Sequence, residues 1–234
     1  MKVAIMQPYV FPYLGYFQLI QAVDTFVFYD DVNFIKKGFI NRNSILVNGK
    51  AHQFTIPCSA VSQNKLIKNV PLHFDEKLRA KFIKTLHQAY KEAPFFETIF
   101  PLMEPFFNKR TYNSISDMAI DSVLLMSNYL GLDKNWVISS QTHKESQHLK
   151  KENRILAIAK KENASTYINP IGGMSLYSKA FFENQGIHLY FLQSEPIAYK
   201  QFKNEFVPWL SILDVVMFNS KEDIQTMLTT YKLI

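Results

Sequence analysis

The chain opens on an apolar run from Val3 to Met6 that meets Gln7 and Pro8 at once, passes a second proline at Pro12, and emerges beyond Gly15 as an aromatic stretch ending at Ile20. That order allows little freedom. Proline cannot donate to a ladder, so a buried strand must stop there, and the residues that follow have the composition of a helix start. Such a junction places backbone donors and polar side chains at a strand's C-terminal edge, where open α/β sheets bind ligands.

Strand and helix signals alternate through most of the remaining sequence. Residues 2–6 and 25–29 read as strands, the second closing on Asp30 and Asp31, with the first helical turns at 16–23 between them. Residues 44–47 and 53–57 flank Asn48-Gly49-Lys50, a hairpin signal because Asn-Gly supports left-handed turn conformations. Leu78, Phe82, Leu86 and Tyr90 recur at near four-residue spacing and predict a helix over 75–92, with another from about 94 to 107. Ser114 and Asp117 form a capping-box pattern before a helix that Gly131 ends. A strand at 136–139, a basic helix at 145–162, a strand at 166–168, a helix from Ser175 to Gln185 and a strand at 187–193 follow, then a second Ser220/Asp223 capping pattern. This rhythm implies an α/β fold: a mostly parallel, Rossmann-like sheet with flanking helices and a small antiparallel insertion. We expect one compact domain over 1–234, with a helical sub-lobe at 75–130.

Composition narrows the function classes. A 47% hydrophobic content over 234 residues suits one sizeable core. Cys58 is the single cysteine, so no intrachain disulfide framework exists and a cytoplasmic setting is expected. No window has the roughly 18 uninterrupted apolar residues that span a bilayer, and membrane insertion is not expected. The net charge of +6 comes with none of the nucleic-acid-binding signatures and is read as solubility plus attraction of small anions. His143 and His148 lack helical metal-pair spacing, no serine sits in a nucleophile elbow, and zinc, haem and flavin are not predicted. No heptad or symmetry signal identifies an interface, and a homodimer is a possibility that rests on size alone.

Several polar clusters fall where strands end. Gln7, Tyr13, Gly15 and Tyr16 occupy the opening turn, and a helix starting near Gly15 would aim free N–H groups at a phosphate or carboxylate. Asp30 and Asp31 end the second strand, where a carboxylate can orient an amine, accept a proton or hold a divalent cation. The loop from Ile35 to Asn43 offers Lys36 or Lys37 as point charges, Arg42 as a two-donor fork, and Asn41 and Asn43 as amides that would face one way while Arg42 faces the other. Ser139, Ser140 and Lys144 follow a strand and form a second phosphate-binding candidate. Asn169, Gly172 and Gly173 form a stiffened turn with exposed backbone, open to a sugar, an acyl group or an adenine edge.

The run from Gln7 to Phe17, with Asp30 to Lys36 and Asn41-Arg42-Asn43, resembles the WbqC-like protein family. The likeness continues through Ser139-Ser140, Tyr167, Gly172-Gly173, Tyr177 and Phe206 to Asp214. It implies a cytoplasmic enzyme of bacterial surface-polysaccharide or O-antigen biosynthesis, a transferase or ligase acting on nucleotide-activated amino sugars. More distantly, Pro12 to Tyr16 resembles the HxGH region of adenylyl-transferring enzymes such as pantothenate synthetase, with tyrosines at both histidine positions. Ile138 to Ser140 with Lys144 resembles their second phosphate-binding region. On this reading a nucleotide, ATP with magnesium, activates a small carboxylate, and an amino-sugar amine attacks it to form an amide. Asp30, Asp31, Arg42 and Tyr16 would serve catalysis. Gln7, Tyr13, Gly15, Lys36, Ser139, Ser140 and Lys144 would hold the nucleotide, and Asn41, Asn43, Asn169, Gly172, Gly173 and Tyr177 the substrate. The alternatives are a nucleotidyltransferase acting on a sugar or alcohol phosphate, and a non-enzymatic nucleotide-sugar binding protein.

Overall fold

Among the residues described by the computed structural model, 1–108, 111–203 and 205–234, there are eight strands: β1 (Lys2–Met6), β2 (Thr25–Phe28), β3 (Arg42–Val47), β4 (Lys50–Thr55), β5 (Asn135–Ile138), β6 (Thr166–Pro170), β7 (His188–Ser194) and β8 (Tyr231–Leu233). The hairpin β3–β4 stands apart as an antiparallel pair, turned at Asn48 and Gly49, whose φ values of 50° and 73° are what this turn requires. The other six lie in the order β5-β2-β1-β6-β7-β8, parallel except for β8 at the edge. The fold is therefore α/β, with a mostly parallel sheet and a small antiparallel insertion.

The helices are α1 (Leu14–Gln21), α2 (Glu76–Tyr90), α3 (Phe96–Asn108), α4 (Ile115–Leu130), α5 (Ser139–Thr142), α6 (Lys151–Lys161), α7 (Lys179–Glu183), α8 (Ile212–Phe218) and α9 (Lys221–Leu228). Strand residues alternate between two apolar clusters. Val3, Ile5, Val27, Tyr167 and Phe191 pack with Ile155 and Ile158 of α6 and Phe182 of α7. Ala4, Phe26, Phe28, Ile168 and Leu192 pack on the other face in a larger cluster that also contains residues of α1, α2, α3, α4, α8 and α9. Burial on both faces accounts for the continuous apolar character of these strands.

Local chemistry sets several boundaries. Ser114 and Asp117 close a reciprocal capping box on α4, and Gly131 ends that helix at φ 73°. Residues 145–162 do not form one helix: Lys144–Ser146 make a single tight turn, with Ser146 Oγ donating to the His143 carbonyl, and α6 begins at Lys151. Likewise α7 is shorter than the expected 175–185, because the cap is Ser178, which accepts from Phe181 N–H, while Ile171–Leu176 form a 3₁₀ turn. No helix among the described residues is long and apolar enough to cross a membrane.

One feature of the sheet positions the site. β1 and β6 are the neighbours at which strand order reverses, and their ladder has only the pairs Lys2↔Thr166 and Val3↔Tyr167. Both strands continue toward their C-terminal ends, β1 beside β2 and β6 beside β7. Their own unpaired C-terminal halves open the crevice that doubly wound sheets use for ligands.

Candidate functional site

The turn that leaves β1 at its C-terminal end is held under strain. Phe11 has φ 39°, a region that a bulky residue occupies only when its surroundings compel it. Three contacts do so: Phe11 N–H donates to Ser122 Oγ at 2.9 Å, and its carbonyl accepts from Asn43 Nδ2 at 2.8 Å and Ser211 Oγ at 2.6 Å. Asn43 is thus a structural clamp on the opening turn. Asn41 donates similarly to the Ile56 carbonyl, and Arg42 donates to the carbonyls of Gly38 and Lys37, which gives its loop a shape rather than leaving a free fork.

Of the two opening-turn tyrosines, Tyr16 is fully buried and donates to the Gln7 carbonyl at 2.9 Å, with burial pushing its pKa well above the usual phenol range. The Tyr13 hydroxyl has no hydrogen-bond partner among the described residues, and the residue lines an apolar cavity beside Gly15. The Tyr9 ring bridges Tyr16 and the half-exposed Phe39, with centroids at 5.7 and 6.1 Å. Gly15 is required here: a Cβ would lie 2.6 Å from the Tyr13 ring and 2.9 Å from Ser194 Oγ.

At the end of β2 both carboxylates are buried and occupied. Asp31 accepts from Ser139 Oγ at 2.9 Å, Gln147 Nε2 at 2.8 Å and Arg154 at 2.6 Å, while its own carbonyl takes a further guanidinium donor at 3.2 Å. Asp30 takes both the N–H and the hydroxyl of Ser140, at 2.9 and 2.7 Å, and burial raises its pKa. Ser139 and Ser140 therefore bind the strand end, whereas Lys36 and Lys144 stand exposed. No group of three His, Cys, Asp or Glu among the described residues could hold a metal. Asp30 and Asp31 are each held by separate partners and do not form a shared cradle for a divalent cation.

Arg154 was not among the expected site residues. Its guanidinium lies 4.7 Å from the centre of the Tyr29 ring while pairing with Asp31. Burial raises the Tyr29 pKa to about 12. The sequence signal was its place with Ile155 and Ile158 on the buried stripe of an otherwise basic helix.

His143 shares this corner. It is fully buried, with Nε2 3.1 Å from Glu162 Oε1, yet neither ring nitrogen has a well-directed hydrogen bond. Burial lowers its pKa, partly offset by Glu162. The unfolded chain therefore binds the imidazole proton at higher pH than the folded chain, and the neutral ring's contribution, full above about pH 6.5, is lost as pH falls. His143→Gln should flatten the decline in melting temperature between pH 7 and 5; an unchanged decline would assign it to other groups.

Across the crevice, Asn169 is buried with Oδ1 3.1 Å from the Tyr167 hydroxyl, and Tyr177 stands edge-on to the Tyr167 ring at 6.0 Å. Gly173 sits directly against Asn169, where a Cβ would lie 1.8 Å from Nδ2, while Gly172 has open space. Gln7 thus follows β1, and Asn169, Gly173 and Tyr177 meet at the end of β6, whereas Tyr13 and Gly15 line a cavity beside Ser194; Asp30, Asp31, Arg42, Asn41, Asn43, Tyr16, Ser139 and Ser140 are each hydrogen-bonded within the protein.

The model of the WbqC-like protein family matches residues 7–226, a span that begins at Gln7 itself. An uncharacterized protein of Mycobacterium tuberculosis, Rv1507c, is 26% identical over 220 residues, covering 93% of each chain. No solved structure matches. With the family pattern running from the opening turn into the last helix, this chain belongs to the WbqC-like protein family.

Proposed function

We propose that the protein uses a nucleotide to activate a carboxylic acid and transfers the acyl or aminoacyl group to the amine of a nucleotide-linked amino sugar. The balance is simple. Activation joins the carboxylate to AMP with release of pyrophosphate, or to phosphate with release of ADP. The sugar amine then displaces the activating group from the acyl carbon, forming an amide and releasing a proton.

The observation that carries this reading is the unpaired β1/β6 opening, at the edge where the family's own opening turn leaves β1. Near the two strand ends stand neutral hydrogen-bonding groups: Gln7 directly after β1, and Asn169 in β6 with Tyr177 beside it across Gly173. Neutral amides and phenols suit a hydroxylated sugar, whose discrimination depends on satisfied geometry rather than charge. Lys36 and Lys144, exposed outside this group, would meet phosphates as point charges, and Gly15 N–H, in the first turn of α1, would add a backbone donor.

The test is incubation with ATP, magnesium, a panel of carboxylic and amino acids, and UDP- or dTDP-linked amino sugars, read by mass spectrometry. A new amide with stoichiometric AMP or ADP is expected. Pyrophosphate without amide would point to nucleotidyl transfer, and intact substrates across the panel would remove the proposal. Within the same assay Gly173→Ala should reduce turnover tenfold or more with little change in melting temperature, because the added methyl must displace Asn169 from its place.

A further inference from the structure

We infer that the cavity beside the opening turn binds the apolar chain of an acyl donor, so that the group transferred is an unbranched aliphatic acyl group rather than an amino acid. This rests on the acyl-transfer reading above and specifies its donor. The cavity, about 440 Å³, lies between the start of α1, the segment after β7 and the segment before α8. Its walls include Tyr13, Gly15, Ile197, Tyr199, Phe206 and Leu210.

The argument turns on what its polar groups already do. Ser194 Oγ donates to Gln18 Oε1 at 2.5 Å, and Gln18 Nε2 donates to the carbonyls of Met227 and Thr230 at 2.8 and 2.9 Å. The Tyr199 hydroxyl donates to Asp214 at 2.7 Å, and Glu195 pairs with Lys232 at 2.6 Å. Among the described lining side chains there is no Lys or Arg. The hydroxyl left without a partner is that of Tyr13. A phosphate would find no cation on this wall. An amino acid's ammonium or a nucleobase edge would meet one uncommitted side-chain hydroxyl, that of Tyr13, too few to replace its water bonds, a loss that buried polar groups do not tolerate cheaply. An alkyl chain needs none.

The mouth carries a second sign. Trp209 is 73% exposed, has φ 63° and stands edge-on to Tyr13 at 6.3 Å. A bulky aromatic residue on left-handed backbone is uncommon, and one standing in solvent at a cavity entrance offers apolar surface that a ligand can cover. An entering chain would do so, with its carbonyl end toward Tyr13 and the crevice.

Straight-chain alkanols from propanol to octanol are suitable probes, being neutral and independent of any transfer chemistry. Titrations followed by Trp209 fluorescence and calorimetry should show affinity rising about fourfold per methylene until the cavity is filled, then levelling. Ala198→Phe places a ring into the cavity from an exposed wall position and should abolish the dependence on chain length without lowering the melting temperature. In the transfer assay, alkanoyl donors should follow the same series. Alkanol affinity that does not change with chain length, or is untouched by Ala198→Phe, overturns the inference, as does displacement of the alkanol by adenosine. Transfer that proceeds with amino acids while alkanols fail to bind would sink the inference and leave the acyl-transfer reading standing. Graded alkanol binding without amide formation on any acid would do the reverse, keeping the cavity's apolar ligand and removing the transfer.

Discussion

Arg154→Ala should be the most damaging single substitution at the sheet edge, lowering stability by about 3 to 5 kcal/mol, the cost typical of removing one partner from a buried ion pair. The pair is 2.6 Å long, with side-chain exposures of 7% and 1%, so little water can replace the guanidinium. The loss also removes a donor to the Asp31 carbonyl and the cation over Tyr29. Arg154→Lys should recover only part of the stability, since an ammonium cannot supply two directed donors to Asp31 and a flat face to the ring. Chemical denaturation of Arg154→Ala, Asp31→Ala and the double variant measures the coupling. We expect the double variant to be clearly less destabilised than the sum of the singles, because removing both charges leaves no orphan. Additive losses would mean that Arg154 contributes packing alone.

The interaction was illegible in sequence for a plain reason: 123 residues separate its partners, and nothing local ties them. The parts of the fold that could be read were those fixed by neighbouring atoms. Asn48-Gly49 made its hairpin and Ser114 with Asp117 made its capping box, because each satisfies backbone groups a few residues away. Helix α8 left only its cap, Ser211, which accepts from Leu213 N–H at 3.2 Å. All seven of its residues are buried, so it has no polar face to give the period of 3.6, and its valines and isoleucine resemble a strand. β8 is three residues long and pairs with the end of β7 as the antiparallel edge, which no local signal announces.

For the site, the position of the opening turn was legible but the duties of its polar residues were not. Asn41, Arg42 and Asn43 bond main-chain carbonyls, and the need for Asn43 arises from the left-handed Phe11, which is visible only once the turn is folded. The same holds for Ser139 and Ser140. Hydroxyls at a strand end look like a phosphate cradle until two carboxylates from the adjacent strand claim them.

Asp214→Ala should rank close behind Arg154→Ala, with a cost on the order of 4 kcal/mol, because three buried donors lose their acceptor at once. Asp214 takes the Tyr90 hydroxyl on one oxygen at 2.8 Å, and Tyr199 and Gln201 on the other, both at 2.7 Å. Burial raises its pKa while these three donors oppose that shift. The two tyrosines differ in a way that orders their variants. Tyr90 also accepts from Leu46 N–H at 2.9 Å, so it joins the hairpin, α2 and α8 in one chain of bonds, whereas Tyr199 ends at Asp214. Tyr90→Phe must leave a buried strand N–H without its acceptor as well as removing a donor; Tyr199→Phe removes a donor alone. The expected order of destabilisation is Asp214→Ala, then Tyr90→Phe, then Tyr199→Phe, measured by denaturant midpoints at constant slope. Should Asp214→Ala not fold, the two phenylalanine variants still decide the matter, since equal losses at both would contradict a relay through Tyr90. Tyr199 forms part of the apolar cavity wall and Tyr90 does not, so Tyr199→Phe, the milder variant for stability, should be the one that alters alkanol affinity.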